Sequence, residues 1–597
     1  MLKRKEKLKR THQCTSLSKA NAGEEVVITG WVQKRRDFGG MIFIDLRDRS
    51  GIVQVVFNPD IDAESFEKAN KLRSEYVIVV SGQVEVRPEG NVNEEMLTGE
   101  IEINALKLEV LDSAKTPPFL IMDDVDASED LRLKYRYLDL RRPLMKDIIG
   151  LRHKVMKRTR DFLDSQGFWE IETPILTKSS PEGARDYLVP SRVNPGSFFA
   201  LPQSPQLFKQ MLMLSGMEKY FQIARCFRDE DLRANRQPEF TQIDIEMSFI
   251  EEEDIFSLTD GLIRSLFELV DIEVPKKIPM MTYDEAIDRF GSDKPDLRFG
   301  MELHNVTSVL EDSEFKVFSA TIKNGGQVKG INFKGGASSP RRKIDEYTEF
   351  VKNYQAKGLA WVALKDDEIK SPIAKFLSEE EIDNLISSLN AEQGDLLLFV
   401  ADKPKVVANS LANLRLKIAK DEELIEDNSY EFLWIVDFPM FEYDEEEDRC
   451  VALHHPFTSP LEEDIHLLET NPLKVKSKAY DLVLNGEEVG GGSIRIHNRN
   501  LQEKIFAALK IDEDEANDKF GYLLEAFEYG TPPHGGIAFG LDRLIMILSG
   551  TDSIRDVIAF PKTQKATSPM TKSPSSVSLK QLDELGIRVV NKENDCE

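Results

Sequence analysis

Cysteine is scarce. The chain has only Cys14, Cys226, Cys450 and Cys596 in 597 residues, with no spacing that suits a metal cage. A disulfide framework is not expected, and reduced thiols in the cytosol are the simplest account, so a cytoplasmic protein is anticipated. No apolar run approaches the ~20 residues of a membrane span. The basic start, Met1 to Lys5, lacks the apolar stretch of a secretory signal and reads as a charged tail. Positive charge is in deficit: 78 Lys and Arg stand against 105 Asp and Glu, a net charge of −27. That argues against non-specific nucleic-acid binding by the whole surface, while leaving room for a local basic patch. Nor is there a Ser/His/Asp or Cys/His arrangement for nucleophilic catalysis.

What is present is the composition of a soluble globular protein, 41% hydrophobic and 31% charged, in a chain too long for one core. Residues 24 to 112 carry short alternating runs: Val26–Val32, Met41–Leu46, Ile52–Phe57, Tyr76–Val86 and Ile101–Leu111, with a helical segment Ala63–Leu72 after the third. That order predicts an OB-fold barrel. The basic stretch Gln33 to Gly40 reads as a turn between the first two strands. Arg36 and Phe43 pair charge with an aromatic, as single-stranded nucleic acid requires; a solvated turn and a core Phe account for them equally well.

Residues 113–143, with Thr116-Pro117-Pro118 and an acidic run, read as a linker. A helix follows, carrying Leu144, Ile148, Leu151, Val155 and Phe162 at helical spacing and ending near Gly167. Phe168 to Pro174 is then expected as a strand at a sheet edge, since proline cannot donate to a ladder. Lys178 to Tyr187 suits a mobile lid. Gln206 and Lys209 fall on one face of a further helix and read as surface polar groups.

Phe221 to Phe249 predicts an antiparallel hairpin around the loop Asp229–Glu239. Ile243, Ile245, Met247 and Phe249 share one face, and Gln242, Asp244, Glu246 and Ser248 the other. The polar face is either solvated or a ligand site. Arg228, Arg233 and Arg236 in the loop, with Phe240 at its exit, suit phosphates and a base, which points to a nucleoside triphosphate. From 296 to 425 strands (Val317–Ile322, Val328–Phe333, Leu359–Leu364, Leu396–Ala401) alternate with helices (Arg341–Ala356, Ser378–Leu389, Val406–Ala419), giving a self-contained α/β insert. Past it come Leu433 to Asp437, His454-His455, a strand around Asp481, and Glu487 to Ile496 with Ser493 and Arg495 on one face. Adjacent histidines on a strand point apart, which disfavours a zinc site. Gly535 to Ile547 reads as strand, turn and helix; Arg543 in its first turn is ill placed for the helix dipole unless an anion binds there.

Taken together, these stretches resemble the three signature motifs of the class II aminoacyl-tRNA synthetases, in order. Gly167 to Pro174 resembles motif 1, Phe227 to Phe240 motif 2, and Gly536 to Arg543 motif 3. The N-terminal barrel resembles that of the aspartyl, asparaginyl and lysyl subgroup, and the insert is similar to that of bacterial aspartyl enzymes. The resemblance implies an α/β multidomain protein: an N-terminal OB-fold β-barrel that binds the anticodon (1–112), a linker (113–143), an antiparallel-sheet catalytic domain in two parts (144–295 and 426–561), the insert (296–425) and a C-terminal extension (562–597).

It further implies ATP and Mg²⁺, L-aspartate, tRNA(Asp) and a homodimer, with tRNA(Asn) charging as an alternative and asparaginyl activity a weaker one. Arg228 and Arg543 would clamp the triphosphate; Glu230 and Gln237 would hold adenosine, with Phe240 stacked on adenine. Asp481 and Glu488 would hold Mg²⁺. Lys209 and Arg495 would take the side-chain carboxylate of aspartate and Asp244 its ammonium, with Ser204, Gln206, His454 and His455 around it and Glu182 closing from the loop. Two buried cations would favour an acidic ligand over asparagine. Arg36, Phe43 and Gln54 would read the anticodon. Phe38 stands where several relaxed members carry histidine, which points towards strict use of tRNA(Asp). Intact Arg228, Glu230, Asp481, Glu488 and Arg543 weigh against a non-enzymatic RNA-binding relative.

Overall fold

The computed structural model describes residues 9–179, 184–230, 236–365 and 368–590. Its backbone contacts separate two units, one formed by residues up to Gly150 with Ile558–Ser575, the other by Leu151–Val557 with the residues from Ser576.

The first unit holds a closed barrel of β1 (Glu25–Phe38), β2 (Met41–Arg47), β3 (Ile52–Phe57), β4 (Val77–Val86) and β5 (Ile101–Asp112), in the order β1-β2-β3-β5-β4. Helix α1 (Ala63–Asn70) lies between β3 and β4 in the chain. The alternation works as expected: Val26, Ile28, Ile42, Ile44, Val53 and Val55 fill the interior. The expected turn from Gln33 is mostly strand, because β1 stays paired with β2 up to Phe38 opposite Met41; only Gly39 and Gly40, both at positive φ, turn the chain. The stretch read as a linker contains helices Glu129–Lys134 and Arg136–Asp139. A buried ion cluster fixes it: Asp139 accepts from Arg136 at 2.6 Å and Arg142 at 2.9 Å.

In the second unit an eight-stranded sheet runs in the order Met280–Thr282, Phe432–Val436, Ala479–Leu484, Glu487–Ile494, His534–Gly540, Glu239–Ser248, Lys219–Phe227, Trp169–Glu170. Its outermost pairs are parallel and the rest antiparallel. The expected strand over 168–174 is observed only at Trp169–Glu170, the outermost strand, pairing in parallel with Lys219–Phe227. Ile243, Ile245 and Met247 are buried as expected; Phe249 is not on their face, since it has left the strand at φ +60° and is 67% exposed.

The insert is a five-stranded antiparallel sheet, ordered Leu303–Asn305, Gln327–Phe333, Leu396–Asp402, Ala360–Lys365, Glu368–Lys370. Helices Arg341–Lys352 and Pro404–Asp421 supply one of its two cores and Lys316–Lys323 and Glu379–Ser388 the other. Residues 317–322, read as a strand, are therefore helical. Phe318 and Ile322 are one turn apart and pack into the second core, while Val317 faces out, so burial overrode the β-branched composition.

Candidate functional site

Register builds the site. Gln222, Asp244, Ala538, Gly491 and Asp481 are successive cross-strand partners, forming one row on the sheet face opposite Ile243 and Ile537. Small residues at 538 and 491 leave a trough between the carboxylates of Asp244 and Asp481. The adjacent row runs Glu246, Gly536, Ser493, Ala479. A Cβ at Gly536 would collide with the Glu246 carboxylate and the Ile245 carbonyl, so glycine is required there for close approach. Val489 is an extra residue in its strand, since Leu482 pairs with Gly490 and Val483 with Glu488. That bulge breaks the alternation and places Glu488 in the same cleft as Asp481.

An open cleft of about 390 Å³ takes in Ser204, Gln206, Lys209, Arg228, Asp244, His454, His455, Asp481, Glu488 and Arg495. A second, of about 240 Å³, takes in Arg228, Glu230, Gln237, Phe240, Glu488 and Arg543. The sequence-predicted residues of the described catalytic site are thus brought together in two neighbouring clefts, with Arg228 and Glu488 lining both. Glu182 lies outside the described residues, as does Arg233. Gln206 and Lys209 are buried in the helix Gln206–Leu214, not surface polar groups. His454 and His455 sit in a bend after the strand Arg449–Ala452, not on a strand, and both face the first cleft.

The electrostatics are dominated by a residue to which the sequence gave no role. Glu246 is fully buried and accepts from Arg495 Nε at 3.0 Å and Nη2 at 3.3 Å. Lys209 Nζ lies 2.6 Å from Asp244 Oδ1 and 3.2 Å from Glu246 Oε2. Burial alone would raise the Glu246 carboxyl, but the cations of Arg495 and Lys209 take it down to about 2. Burial pushes Asp244 up, with Lys209 pulling against it. The two cations are therefore already balanced by two carboxylates, which corrects the expectation of an uncompensated positive pair. What remains for a ligand is unfilled hydrogen-bonding capacity. Arg495 has three of its five donors engaged, the third on Ser493 Oγ at 2.7 Å, while Asp244 Oδ2 and Gln206 Nε2 are buried and have no partner among the described residues. A signal for Glu246 did exist, its place two residues after Asp244 on the polar face.

Glu488 is raised, first by the charge of Asp481 and then by burial, as two carboxylates facing one space must be. Burial disfavours a charged His454, yet its approach to Asp481, Nε2 to Oδ1 3.7 Å, raises it overall. No group of three or more His, Cys, Asp or Glu among the described residues forms a metal cage. In the second cleft, the Arg228 guanidinium stands 5.2 Å from the Phe240 ring, Glu230 pairs with Arg236 at 2.7 Å, and Arg543 donates to the Glu488 carbonyl.

On the barrel, Arg36 and Phe43 are cross-strand partners on the outer face. Arg36 is held by Asp45 at 2.7 and 2.6 Å and by Gln54 Oε1 at 3.2 Å, and Gln54 in turn donates to Glu102 at 2.9 Å. Phe43 is half-buried rather than a core residue, and packs edge-on at 6.1 Å against Phe38, which is 63% exposed.

A model of the tRNA synthetases class II (D, K and N) matches residues 128–564, and one of the OB-fold nucleic acid binding domain matches 26–111. The chain belongs to the class II tRNA synthetases. This synthetase is 69% identical over 582 residues to the aspartate–tRNA(Asp/Asn) ligase of Halothermothrix orenii, covering 98% of this chain and 99% of that one. It is 59% identical to the aspartate–tRNA ligase of Geobacillus kaustophilus, covering 98% and 100%. Its fold matches asparaginyl-tRNA synthetase of Pyrococcus horikoshii solved with asparaginyl-adenylate, with a TM-score of 0.59 at 19% identity over 93% of this chain and 99% of that one.

Proposed function

We propose that the synthetase joins L-aspartate to tRNA in two steps through an aspartyl-adenylate. The observation that carries this reading is the meeting at Arg228 of two clefts, one lined by Lys209, Asp244 and Arg495 and the other by Glu230, Phe240 and Arg543. In the first step an oxygen of the aspartate α-carboxylate attacks the α-phosphorus of ATP. The bond to the β-phosphate oxygen breaks and pyrophosphate leaves. In the second, the terminal ribose hydroxyl of tRNA attacks the acyl carbon and AMP leaves. No protein nucleophile is needed; orientation and charge stabilisation carry the rate.

Arg228 sits at the α-phosphate and Arg543 at the far end of the triphosphate, whose charge answers the cation in the first turn of the helix Leu541–Leu548. Phe240 stacks on adenine, with Glu230 and Gln237 beside the adenosine. Asp481 and Glu488 would hold Mg²⁺: two carboxylates crowding one space fit a hard cation, which would neutralise phosphate charge there.

Asp244 Oδ2 accepts from the substrate ammonium. The spare donors of Arg495 and Lys209 meet the side-chain carboxylate, with Ser204, Gln206, His454 and His455 around the substrate and Glu182 closing over it. An asparagine amide would turn its NH₂ towards those donors, leaving polar groups unpaired, which selects for aspartate. Arg36, Phe43 and Gln54 read the anticodon from the barrel.

ATP–pyrophosphate exchange with aspartate, asparagine and lysine tests the reading. Aspartate alone should support it, and comparable exchange with asparagine would overturn it. Charging of tRNA(Asn) as well as tRNA(Asp) is a second reading, favoured by the names of relatives such as that of Halothermothrix orenii against the hint from Phe38; aminoacylation of each purified tRNA separates the two. A cytoplasmic homodimer completes the proposal, with Trp169, 65% exposed on the edge strand, as an interface residue; sedimentation checks the oligomeric state.

A further inference from the structure

One buried carboxylate outside the roles above fastens two nucleotide-binding elements together. Asp542 lines the nucleotide cleft and is the residue before Arg543. Its Oδ2 accepts from the backbone N–H of Thr241 at 2.8 Å, and its Oδ1 accepts from Arg152 Nη1 at 2.5 Å. Thr241 follows Phe240 on the strand Glu239–Ser248. Arg152, on the helix Pro143–Ser165, also donates from Nη2 to Thr241 Oγ1 at 3.2 Å and from Nη1 to the Val557 carbonyl at 3.2 Å. Arg225 donates to the same Thr241 oxygen at 3.1 Å. Asp542 and Thr241 are buried, and Arg152 is nearly so.

We infer that Arg152 is a positioning residue for ATP, acting through Asp542 and Thr241 and touching no substrate itself. The Asp542 carboxylate ties the start of the Arg543 helix to the backbone beside Phe240, and so fixes the distance between the triphosphate clamp and the adenine platform. Without a cation, that carboxylate would be buried unpaired on the wall of a cleft that must accept a tetra-anion. Arg152 supplies the cation from the side away from the cleft, and its second fork nitrogen locks Thr241 in register. A lysine could balance the charge but could not reach the carboxylate and the hydroxyl together in a fixed fork.

This rests on the nucleotide reading of the cleft, and the experiment separates the two. ATP–pyrophosphate exchange is measured for wild type, Arg543→Ala, Arg152→Met, Arg152→Lys and Arg152→Met with Asp542→Asn, varying ATP and aspartate in turn. Arg152→Met should raise KM for ATP by at least ~10-fold, because it leaves a buried charge unpaired, while KM for aspartate stays within about 2-fold. Arg152→Lys should fall between, and adding Asp542→Asn to Arg152→Met should recover part of the ATP affinity by removing the stranded charge. If Arg543→Ala leaves KM for ATP unchanged, the nucleotide reading itself is wrong. If Arg543→Ala raises it and Arg152→Met does not, the positioning role is wrong. Equal rises in both KM values for Arg152→Met, with a lowered melting temperature and no rescue by Asp542→Asn, would mean that Arg152 only supports the fold.

Discussion

Arg495 and Glu246 form a buried two-point ion pair, with Nε to Oε1 at 3.0 Å and Nη2 to Oε2 at 3.3 Å. The guanidinium is thereby fixed by Glu246 and Ser493, with two of its five donors left for a ligand carboxylate. Arg495→Leu removes those donors and leaves Glu246 with Lys209 alone. Aspartate-dependent pyrophosphate exchange should fall by roughly 100-fold or more. Near-normal exchange in this variant would refute the pocket assignment.

The same pair sets an acid limit on stability. The Glu246 carboxyl lies at about 2, below its ordinary 4.5, because of Arg495 and Lys209. A depressed carboxyl stabilises the fold above its unfolded value and loses that contribution as pH falls, here between 4.5 and about 2. The contribution is about 3 kcal/mol. Urea unfolding across that window should therefore show a steeper pH dependence in wild type than in Glu246→Gln; parallel curves would refute the assignment. At neutral pH the variant should be less stable by about 3–5 kcal/mol, since a buried cation loses its partner.

Glu252 has the opposite sign. Burial raises its carboxyl to about 7, with Lys478 opposing. Its contribution to stability is present below 4.5 and lost as pH rises through about 7. Glu252→Gln should therefore stabilise the protein at pH 8 relative to wild type, by about 1–2 kcal/mol after allowance for solvent screening, and give no gain at pH 5. Thermal unfolding at the two pH values checks it, and equal effects at both would refute it.

Phe43 is offered on the outer face of the barrel beside Arg36. Loss of one stacked base is worth about 1–3 kcal/mol. Phe43→Ala should accordingly raise KM for tRNA by roughly 10- to 100-fold while pyrophosphate exchange, which needs no tRNA, is unchanged. A fall in both would point to a folding defect instead.

The sequence was most legible where pattern and partner are local. The barrel strands followed from period-two alternation, and the hairpin from its two arms and polar loop. It was least legible where the partner is remote. Residues 317–322 have strand composition but are helical because Phe318 and Ile322 meet a core completed by residues as distant as Leu397 and Phe399. The stretch 113–143 reads as a linker because nothing in it announces that Arg136 will donate to the carbonyls of Ile558 at 2.9 Å and Ala559 at 3.0 Å, far along the chain.

Residue identity and spacing alone placed Gln242, Asp244 and Glu246 on one strand face, because alternation assigns the face before any packing is known; what that face would meet was implied only by the family resemblance. Only the tertiary structure decided what that face contains. Asp481 joins Asp244's row through two intervening strands, and Glu246 meets Arg495 across 249 residues of chain. Whether a polar side chain is solvated, paired or left for a ligand depends on what lies opposite it, and cross-sheet register is set by the whole fold rather than by neighbours in sequence.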